Sequence, residues 1–343
     1  MWLNGNNLAE CTKFAFAYYL RGYFFYLYPN IGIMSMCKRL FFLFCLGWLL
    51  LPAACKKQEI IDIPGNQSPY YHEIPTLIVS NYVNKVFIDL LGREPTDEEL
   101  AAETAALQTA GLAFDARDAL VEKLQNSNQF VPVDSSYRRA YYRWFYEQSK
   151  ARFIEGASID AINEELGPLY FGLSLLVAQA DTASAEYFGL LEAIEDLNRL
   201  IGADTLYQQG VIDIIEFSRR MVDNAVYDKI NMNSFNFVNA TFDDLYHRFP
   251  TQNEFNQGYA MVEFSDTAQL FGQTGFSKNT YIHIMTNSSE MYEGMIIWAY
   301  QTLLARKPTT QEVYALLPQF KSDHNFKAIQ KAIIRTDEYG HFD

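Results

Sequence analysis

The sequence that decides the fold is YVNKVFIDLLGREPTDEE at residues 82–99, because it recurs as FVNATFDDLYHRFPTQNE at residues 237–254. A weaker third copy, MIIWAYQTLLARKPTTQE, occupies residues 295–312. The copies share an aromatic residue, a leucine three positions later and an Arg-x-Pro-Thr-x-x-Glu motif. The motif residues are Arg93, Pro95, Thr96 and Glu99 in the first copy, Arg248, Pro250, Thr251 and Glu254 in the second, and Arg306, Pro308, Thr309 and Glu312 in the third. An internal repeat therefore organises the chain.

The repeated motif has a physical explanation that needs no ligand. A threonine followed three residues later by a glutamate forms a capping box, which satisfies free backbone N–H groups at a helix start. The preceding proline cannot continue the earlier helix, and it excludes the helical conformation at the residue before it. Ahead of the corner, Val83, Phe87 and Leu90 recur at helical spacing. Each copy is therefore predicted to be a helix, a sharp corner and a capped helix.

The corner arginines admit two roles. They could line a shared anion site, since guanidinium groups bind anions through forked donors. Because each arginine directly precedes its corner, a hydrogen bond to the last carbonyls of its helix or a salt bridge is favoured. Asp89 and Arg93 stand at i and i+4, a spacing that supports the helix end. His247 takes the place of Gly92 and Ala305, so we interpret it as a structural rather than a catalytic residue.

The residues between the copies also follow helical patterns. Ile194, Leu197 and Ile201 share one face, and Gly202 is typical of a helix stop. Sustained alternation of apolar and polar residues between Asn-Gly or Asp-Gly turns is absent from the sequence. The copies are too unevenly spaced for a regular solenoid. We therefore predict an all-α fold, a compact multi-helix domain with internally repeated three-helix units.

The first copy resembles a known kind of module. A Gly-Arg-x-Pro-Thr-x-x-Glu corner followed by a Trp-containing helix resembles helical domains of unknown function in large exported proteins of planctomycetes and Bacteroidota. The resemblance covers Ser80 to Arg152 and implies no active-site residue. The predicted segments are an N-terminal extension and lipoprotein signal peptide (1–54), a tether (55–75), repeat unit 1 with an aromatic helix (76–155), intervening helices (156–232), repeat unit 2 (233–295) and repeat unit 3 (296–343).

The N-terminal region has the pattern of an export signal. Residues 34–55 read MSMCKRLFFLFCLGWLLLPAAC, in which two basic residues precede an apolar run and small residues precede a cysteine. This pattern resembles the lipobox of bacterial lipoproteins. Together with the helix-breaking tether it resembles surface lipoproteins of the Bacteroidota. The resemblance implies that Cys55 is acylated, for example with palmitate. The acyl chains would anchor the protein in the cell envelope, at the periplasmic or surface face of the outer membrane.

Residues 1–33 precede this signal, which leaves the start codon open between Met1, Met34 and Met36. The alternative to a signal peptide is a membrane hairpin of residues 14–28 and 40–51. An arginine inside the first of these segments disfavours that arrangement, because an intramembrane charge is costly.

Composition and motifs argue against several classes of function. The formal net charge of −14 disfavours a nucleic-acid partner held through its phosphates. The five histidines lack the i, i+4 spacing of a helical zinc pair, and no cysteine follows Cys55. The sequence contains no phosphate-binding loop, dinucleotide-binding motif, haem motif or nucleophile elbow. It therefore predicts no metal, no cofactor and no catalytic residue.

One aromatic cluster is the best sequence candidate for a binding surface. Its members are Tyr137, Arg138, Tyr141, Tyr142, Arg143 and Trp144. Aromatic rings stack on sugars and peptides, and arginine supplies forked donors. Burial of the same rings in the core is the favoured alternative.

Three functions are compatible with these patterns. The main hypothesis is a non-catalytic, membrane-anchored lipoprotein whose helical domain binds or scaffolds a glycan, peptide or envelope protein. The first alternative is an enzyme that acts on envelope glycans or peptides, with acidic residues that converge only in three dimensions. The second alternative is a subunit of a larger envelope assembly, of which an exposed apolar patch would be the sign.

Overall fold

The computed structural model describes residues 74–342, which form sixteen helices and two short antiparallel hairpins. The helices are α1 (Thr76–Leu91), α2 (Asp97–Thr109), α3 (Phe114–Asn126), α4 (Tyr137–Phe153), α5 (Ile159–Ala178), α6 (Ala185–Ile201), α7 (Ala203–Gln209), α8 (Ile214–Val222), α9 (Ala225–Asn231), α10 (Ser234–Tyr246), α11 (Gln252–Phe264), α12 (Lys278–Thr286), α13 (Ser289–Leu304), α14 (Thr310–Asp323), α15 (Phe326–Ile334) and α16 (Asp337–Gly340). The strands are β1 (Phe130–Val131), β2 (Ser135–Ser136), β3 (Ala268–Leu270) and β4 (Gln273–Gly275). The predicted signal peptide, Cys55 and the tether up to residue 73 lie outside the described residues.

Three sharp corners close the first helix of each repeat. At each corner the helix ends in a residue of left-handed conformation, Gly92, His247 or Ala305. A complete capping box then starts the second helix, with threonine and glutamate exchanging hydrogen bonds as predicted. The local chemistry of the motif therefore fixes the direction of the chain at all three places, and the predicted all-α class is confirmed.

The repeat units each contain three helices. They are α1 to α3, α10 to α12 and α13 to α15. The first helix of the third unit begins at Ser289, ahead of the predicted boundary at 296, because the Ser288 side chain accepts the N–H of Met291 and starts the helix there. The two hairpins were not predicted, since strands of two or three residues are too short to show an alternating pattern.

Helix α4 forms the centre of the core. It packs against α1, α3, α7 and α8. The ring of Phe145 lies 5.2 to 5.8 Å, centroid to centroid, from the rings of Tyr207, Phe217, Trp298 and Phe326. These rings come from four other helices, so α4 joins the repeat units to the helices between them.

The third repeat unit packs back on the first. Helix α15 contacts α3, and α16 contacts α1. Helix α13 also contacts α10 of the second unit. The Tyr82 hydroxyl donates to the carbonyl of Ile334 at 3.3 Å, and Tyr339 donates to the Asp89 carboxylate at 2.8 Å. Contacts between residues far apart in sequence therefore tie residues 74–342 into one body.

Candidate functional site

The corner arginines are held by carboxylates. Arg93 donates from Nη1 and Nη2 to the two oxygens of Glu99, at 2.7 and 2.9 Å, and from Nε to Asp134 at 2.6 Å. Its Nη1 also donates to the carbonyl of Glu94 at 2.9 Å. The guanidinium lies over the ring of Phe87, with 5.4 Å between the guanidinium carbon and the ring centroid.

The other two corners repeat this arrangement. Arg248 binds Glu254 at 2.7 and 2.9 Å, and Arg306 binds Glu312 at 2.7 and 3.0 Å. In the second and third copies a second glutamate, from the start of the helix that follows the three-helix unit, completes the site. It is Glu290 in the second copy and Glu338 in the third. The rings of Phe242 and Tyr300 lie beneath the two guanidinium groups, at 5.0 and 5.1 Å.

This geometry gives the three corner arginines a structural role and not an anion-binding one. Each guanidinium already faces two carboxylates, which leaves no excess positive charge for an anion. The hydrogen bonds from Arg248 and the Thr251 N–H lower the pKa of Glu254 to about 2. Burial opposes ionisation of Glu99, but hydrogen bonds from Arg93, Thr96 and Tyr137 lower its pKa to about 2 as well. The arginines therefore form the salt bridge that the sequence favours. Each also donates to a backbone carbonyl, but this carbonyl belongs to the residue after the arginine and not to the end of the preceding helix.

The second carboxylate of each corner was missed in the sequence. Glu290 and Glu338 both follow a Ser or Thr helix cap by two residues, a shared position that alignment of the copies could have shown. Asp134 lies in the loop between β1 and β2 and carries no such signal. The first copy thus reaches the same geometry through a different segment.

The predicted pairing of Asp89 with Arg93 does not form, because Arg93 turns toward Glu99 and Asp134. Asp89 instead accepts the hydroxyl of Tyr339. The equivalent Asp244 accepts the hydroxyl of Tyr227 at 2.8 Å. Both aspartates therefore attach the end of a repeat helix to a neighbouring helix.

Two polar side chains of helix α4 also attach the ends of repeat helices to their neighbours. Trp144 Nε1 donates to the carbonyl of Asp89 at 3.2 Å, and Arg152 Nε donates to the carbonyl of Asp244 at 2.9 Å. These two donors, two helical turns apart, cap equivalent helix ends of the first and second repeat units.

The aromatic cluster on α4 lies in the core. Tyr137, Tyr141 and Tyr142 are buried, and the first two hydroxyls donate to Glu99 and Gln330 at 2.8 and 2.7 Å. The rings fill the space among α1, α7 and α15, so they have the core packing that the sequence favours over the candidate binding surface. The arginines of the cluster bind the protein itself, with Arg138 donating to the carbonyl of Gln208 and Arg143 donating to Asp134.

His247 has the structural role that the sequence favours. Its backbone is left-handed, with φ of 57°. Burial, with the nearby charges of Arg152 and Lys307, lowers the pKa of its imidazole to about 3. The ring is therefore neutral at physiological pH, and it lies at the corner rather than in an open cleft.

The feature that stands apart is the helical hairpin of α5 and α6. Its base is anchored, since Ile162, Leu166, Ile194, Leu197 and Leu200 are buried and the two helices contact α8 and α9. Farther out, the helices pack only on each other within the part of the chain that the structure describes. A Cβ placed at Gly172 of α5 would lie 3.3 Å from the Leu190 side chain of α6, so the two helices are in close contact there.

The outer half of α5 reads GPLYFGLSLLVA at residues 167–178 and contains no charged residue. The face turned away from α6 is apolar, with Tyr170, Phe171, Leu175 and Val177 between 45% and 66% exposed. At 100° per residue these positions, with Ser174 and Ala178, form one continuous face about 160° wide. Phe188 and Leu191 of α6 are also exposed. A surface helix ordinarily places polar residues on its outer face, so this face is unusual.

The charges around this apolar face are almost all negative. Residues 159–198 contain no lysine, arginine or histidine. The acidic residues of the hairpin are Asp160, Glu164, Glu165, Asp181, Glu186, Glu192, Glu195 and Asp196. The first basic residue is Arg199, and it already pairs with Glu195 and Asp196.

A cleft of about 400 Å³ lies between the hairpin base and the body. Glu192, Asp196, Asp223 and Asp228 line it, with Lys278 opposite. Burial and the charge of Asp223 raise the pKa of Asp196 to about 6. Three of these carboxylates are bound in ion pairs, Asp196 to Arg199 at 3.3 Å, Asp223 to Arg219 at 3.1 Å and Asp228 to Lys278.

Comparison of the chain with protein-family models, with curated proteins and with solved structures finds no match. Within residues 74–342, no helix combines the length and the apolar character of a membrane span. In the same residues, no three His, Cys, Asp or Glu side chains are grouped so as to hold a metal ion.

Proposed function

We propose that this chain is a non-catalytic, envelope-anchored lipoprotein that docks a partner protein through the α5–α6 hairpin, as a subunit or scaffold of a larger assembly. The observation that carries the proposal is the apolar face of the outer hairpin, which is exposed to solvent among residues 74–342. An exposed apolar patch on the helical domain is also the sign that distinguishes an assembly subunit from the other two functions considered from the sequence.

Energetics favour a covered state for this face. Full burial of a large apolar side chain contributes roughly 1.5–3 kcal/mol, and the four such side chains on the apolar face of α5 are each 45% or more exposed. Four side chains are enough for a small cluster of dominant contacts at a protein interface. Large apolar residues are also exposed elsewhere in residues 74–342, and Phe235 and Phe264 belong to a row of aromatic rings on α10 and α11. Helix α11 carries Glu254 and Glu263, however, whereas residues 167–178 contain no charge.

An enzyme of envelope glycans or peptides is the weaker candidate. It would require carboxylates free to exchange protons in a pocket. Three of the four carboxylates of the cleft at the hairpin base are instead paired with Arg199, Arg219 and Lys278.

The membrane anchor is proposed from Cys55 and the lipobox-like sequence before it. Labelling cells with a palmitate analogue should modify the wild-type chain and leave Cys55→Ser unmodified. Incorporation into Cys55→Ser at the wild-type level would remove the anchor from the proposal and leave the docking hairpin to be tested separately.

The docking role is testable by photo-crosslinking in cells. A photoreactive phenylalanine analogue is placed at Phe171 on the hairpin or at Tyr314 on α14, two aromatic positions that are both 66% exposed. We expect a discrete protein adduct from position 171 and none of comparable yield from position 314. Equal adduct patterns, or adducts at 171 only to lipid or to residues 1–73 of the same chain, would contradict the docking role.

A further inference from the structure

Building on the proposed docking role, we infer that the partner of the hairpin is a protein helix with an apolar stripe flanked by lysine and arginine. The structure supplies two constraints that together define this chemistry. One is the length and shape of the apolar face, and the other is the sign of the charge around it.

The apolar face has the dimensions of a helix-binding surface. The uncharged half of α5 is twelve residues long, which is about 18 Å, or a little over three helical turns. An apolar surface of this length fits a partner helix that presents residues at i, i+3, i+4 and i+7. The product is a layer of three helices in which α5 lies between the partner helix and α6.

The charge around the face selects a basic partner. Asp181 lies in the loop at the tip, and Glu186 is exposed on α6. Glu164 is exposed on the same side of α5 as Phe171, about two turns before it. With no basic residue from 159 to 198, the hairpin offers acceptors of salt bridges and no donors. Like charges set side by side at an interface disfavour association, whereas complementary charges raise the association rate. A partner with flanking Lys and Arg therefore fits, and an acidic one does not.

The same charge pattern argues against a lipid surface and against a second copy of this chain as the partner. Helices that lie on membrane surfaces carry Lys and Arg on their polar face, because bacterial and other anionic lipids attract them. This hairpin lacks that feature. A second copy of the chain would bring two acidic hairpins together, so homotypic pairing is also disfavoured.

Peptide binding to the purified full chain tests this inference. Two labelled helical peptides share an apolar stripe of about twelve residues, and the flanking positions are Lys in one and Glu in the other. Fluorescence anisotropy at low salt should show the Lys peptide binding roughly tenfold or more tightly. The difference should shrink in high salt, because mobile ions screen exposed charges. Phe171→Ser should weaken binding of the Lys peptide, and the matched Tyr314→Ser should not.

A charge variant separates the two constraints. Asp181→Asn with Glu186→Gln leaves the apolar face intact and should reduce the preference for the Lys peptide. The inference would be overturned if both peptides bound equally, or if Phe171→Ser left the affinity for the Lys peptide unchanged. So would Phe171-dependent binding to phosphatidylglycerol–phosphatidylethanolamine vesicles, or Phe171-dependent dimerisation in sedimentation. If the inference falls while crosslinking at Phe171 still captures a protein, the docking role stands and only the partner chemistry is wrong.

Discussion

The three corner arginines make the same contacts in three different environments, which predicts a graded loss of stability. The change is Arg→Met, which keeps the aliphatic stem over the aromatic ring and removes the charge. At the first corner the Asp134 side chain is only 3% exposed and Arg93 is 16% exposed. At the third corner Glu338 is 49% exposed and Arg306 is 32% exposed. At the second corner Arg248 is 33% exposed, and its partner Glu290, at 28%, lies between the other two carboxylates in exposure.

Burial sets the magnitude. Removing one partner of a buried ion pair costs roughly 3–5 kcal/mol, because the remaining charge is left without compensation. Arg143 still contacts Asp134 in Arg93→Met, so the lower end, about 3 kcal/mol, is expected there. Exposed pairs contribute about 0–1 kcal/mol, which is the expectation for Arg306→Met. Arg248→Met should fall between these values.

The assay is urea denaturation of the full chain followed by circular dichroism, which reports the helices directly. Lys229→Met removes a single ion pair, in which Lys229 is 70% exposed and Glu165 is 29% exposed, and serves as the control, with an expected change of less than about 1 kcal/mol. Equal losses at all three corners, or a larger loss at Arg306 than at Arg93, would refute the argument that burial rather than contact geometry decides the energy.

Three further predictions concern the same corners. Thr96→Ala or Thr251→Ala should lower the free energy of unfolding by roughly 1 kcal/mol through the missing cap, and unchanged thermal melts would count against it. Gly92→Ala should cost more than about 1 kcal/mol, since φ is +71° and a Cβ would lie 2.5 Å from the Trp144 ring, whereas Ala305→Gly should change stability by less than that. Because Glu99 has a pKa of about 2 in the folded chain, below its ordinary 4.5, Glu99→Gln should be less stable than wild type at neutral pH. That gap should close as pH falls from 4.5 toward 2 in urea titrations, and a gap that persists at pH 2 would exclude the ionic origin.

The local part of this fold could be predicted because its causes are local. A capping box and a proline corner involve residues within a few positions of each other, so the Thr96 corner and its two copies show in the sequence. The helical class follows from the same short-range patterns. The second carboxylate at each corner comes from a segment 32 to 42 residues away, and for Asp134 no local pattern marks it.

The candidate site was missed for a related reason. GPLYFGLSLLVA has the composition of a buried helix, and Tyr141 with its neighbours has the composition of an aromatic surface. Which of the two is covered depends on what packs against each helix, and that is decided by long-range contacts. In the structure the Tyr141 helix lies at the centre of the core, and the uncharged half of α5 projects beyond it.

Cysteine protection in native membranes tests the central claim most directly. The sequence after Cys55 contains no cysteine, so Phe171→Cys and Tyr314→Cys each introduce a single new thiol whose modification can be followed by peptide mass spectrometry. Both positions are 66% exposed in the isolated chain and should react at similar rates after purification. If the hairpin docks a partner, a water-soluble maleimide should label position 171 much more slowly than position 314 in native membranes. Equal labelling rates at the two positions in those membranes would show an uncovered hairpin and contradict the proposed function.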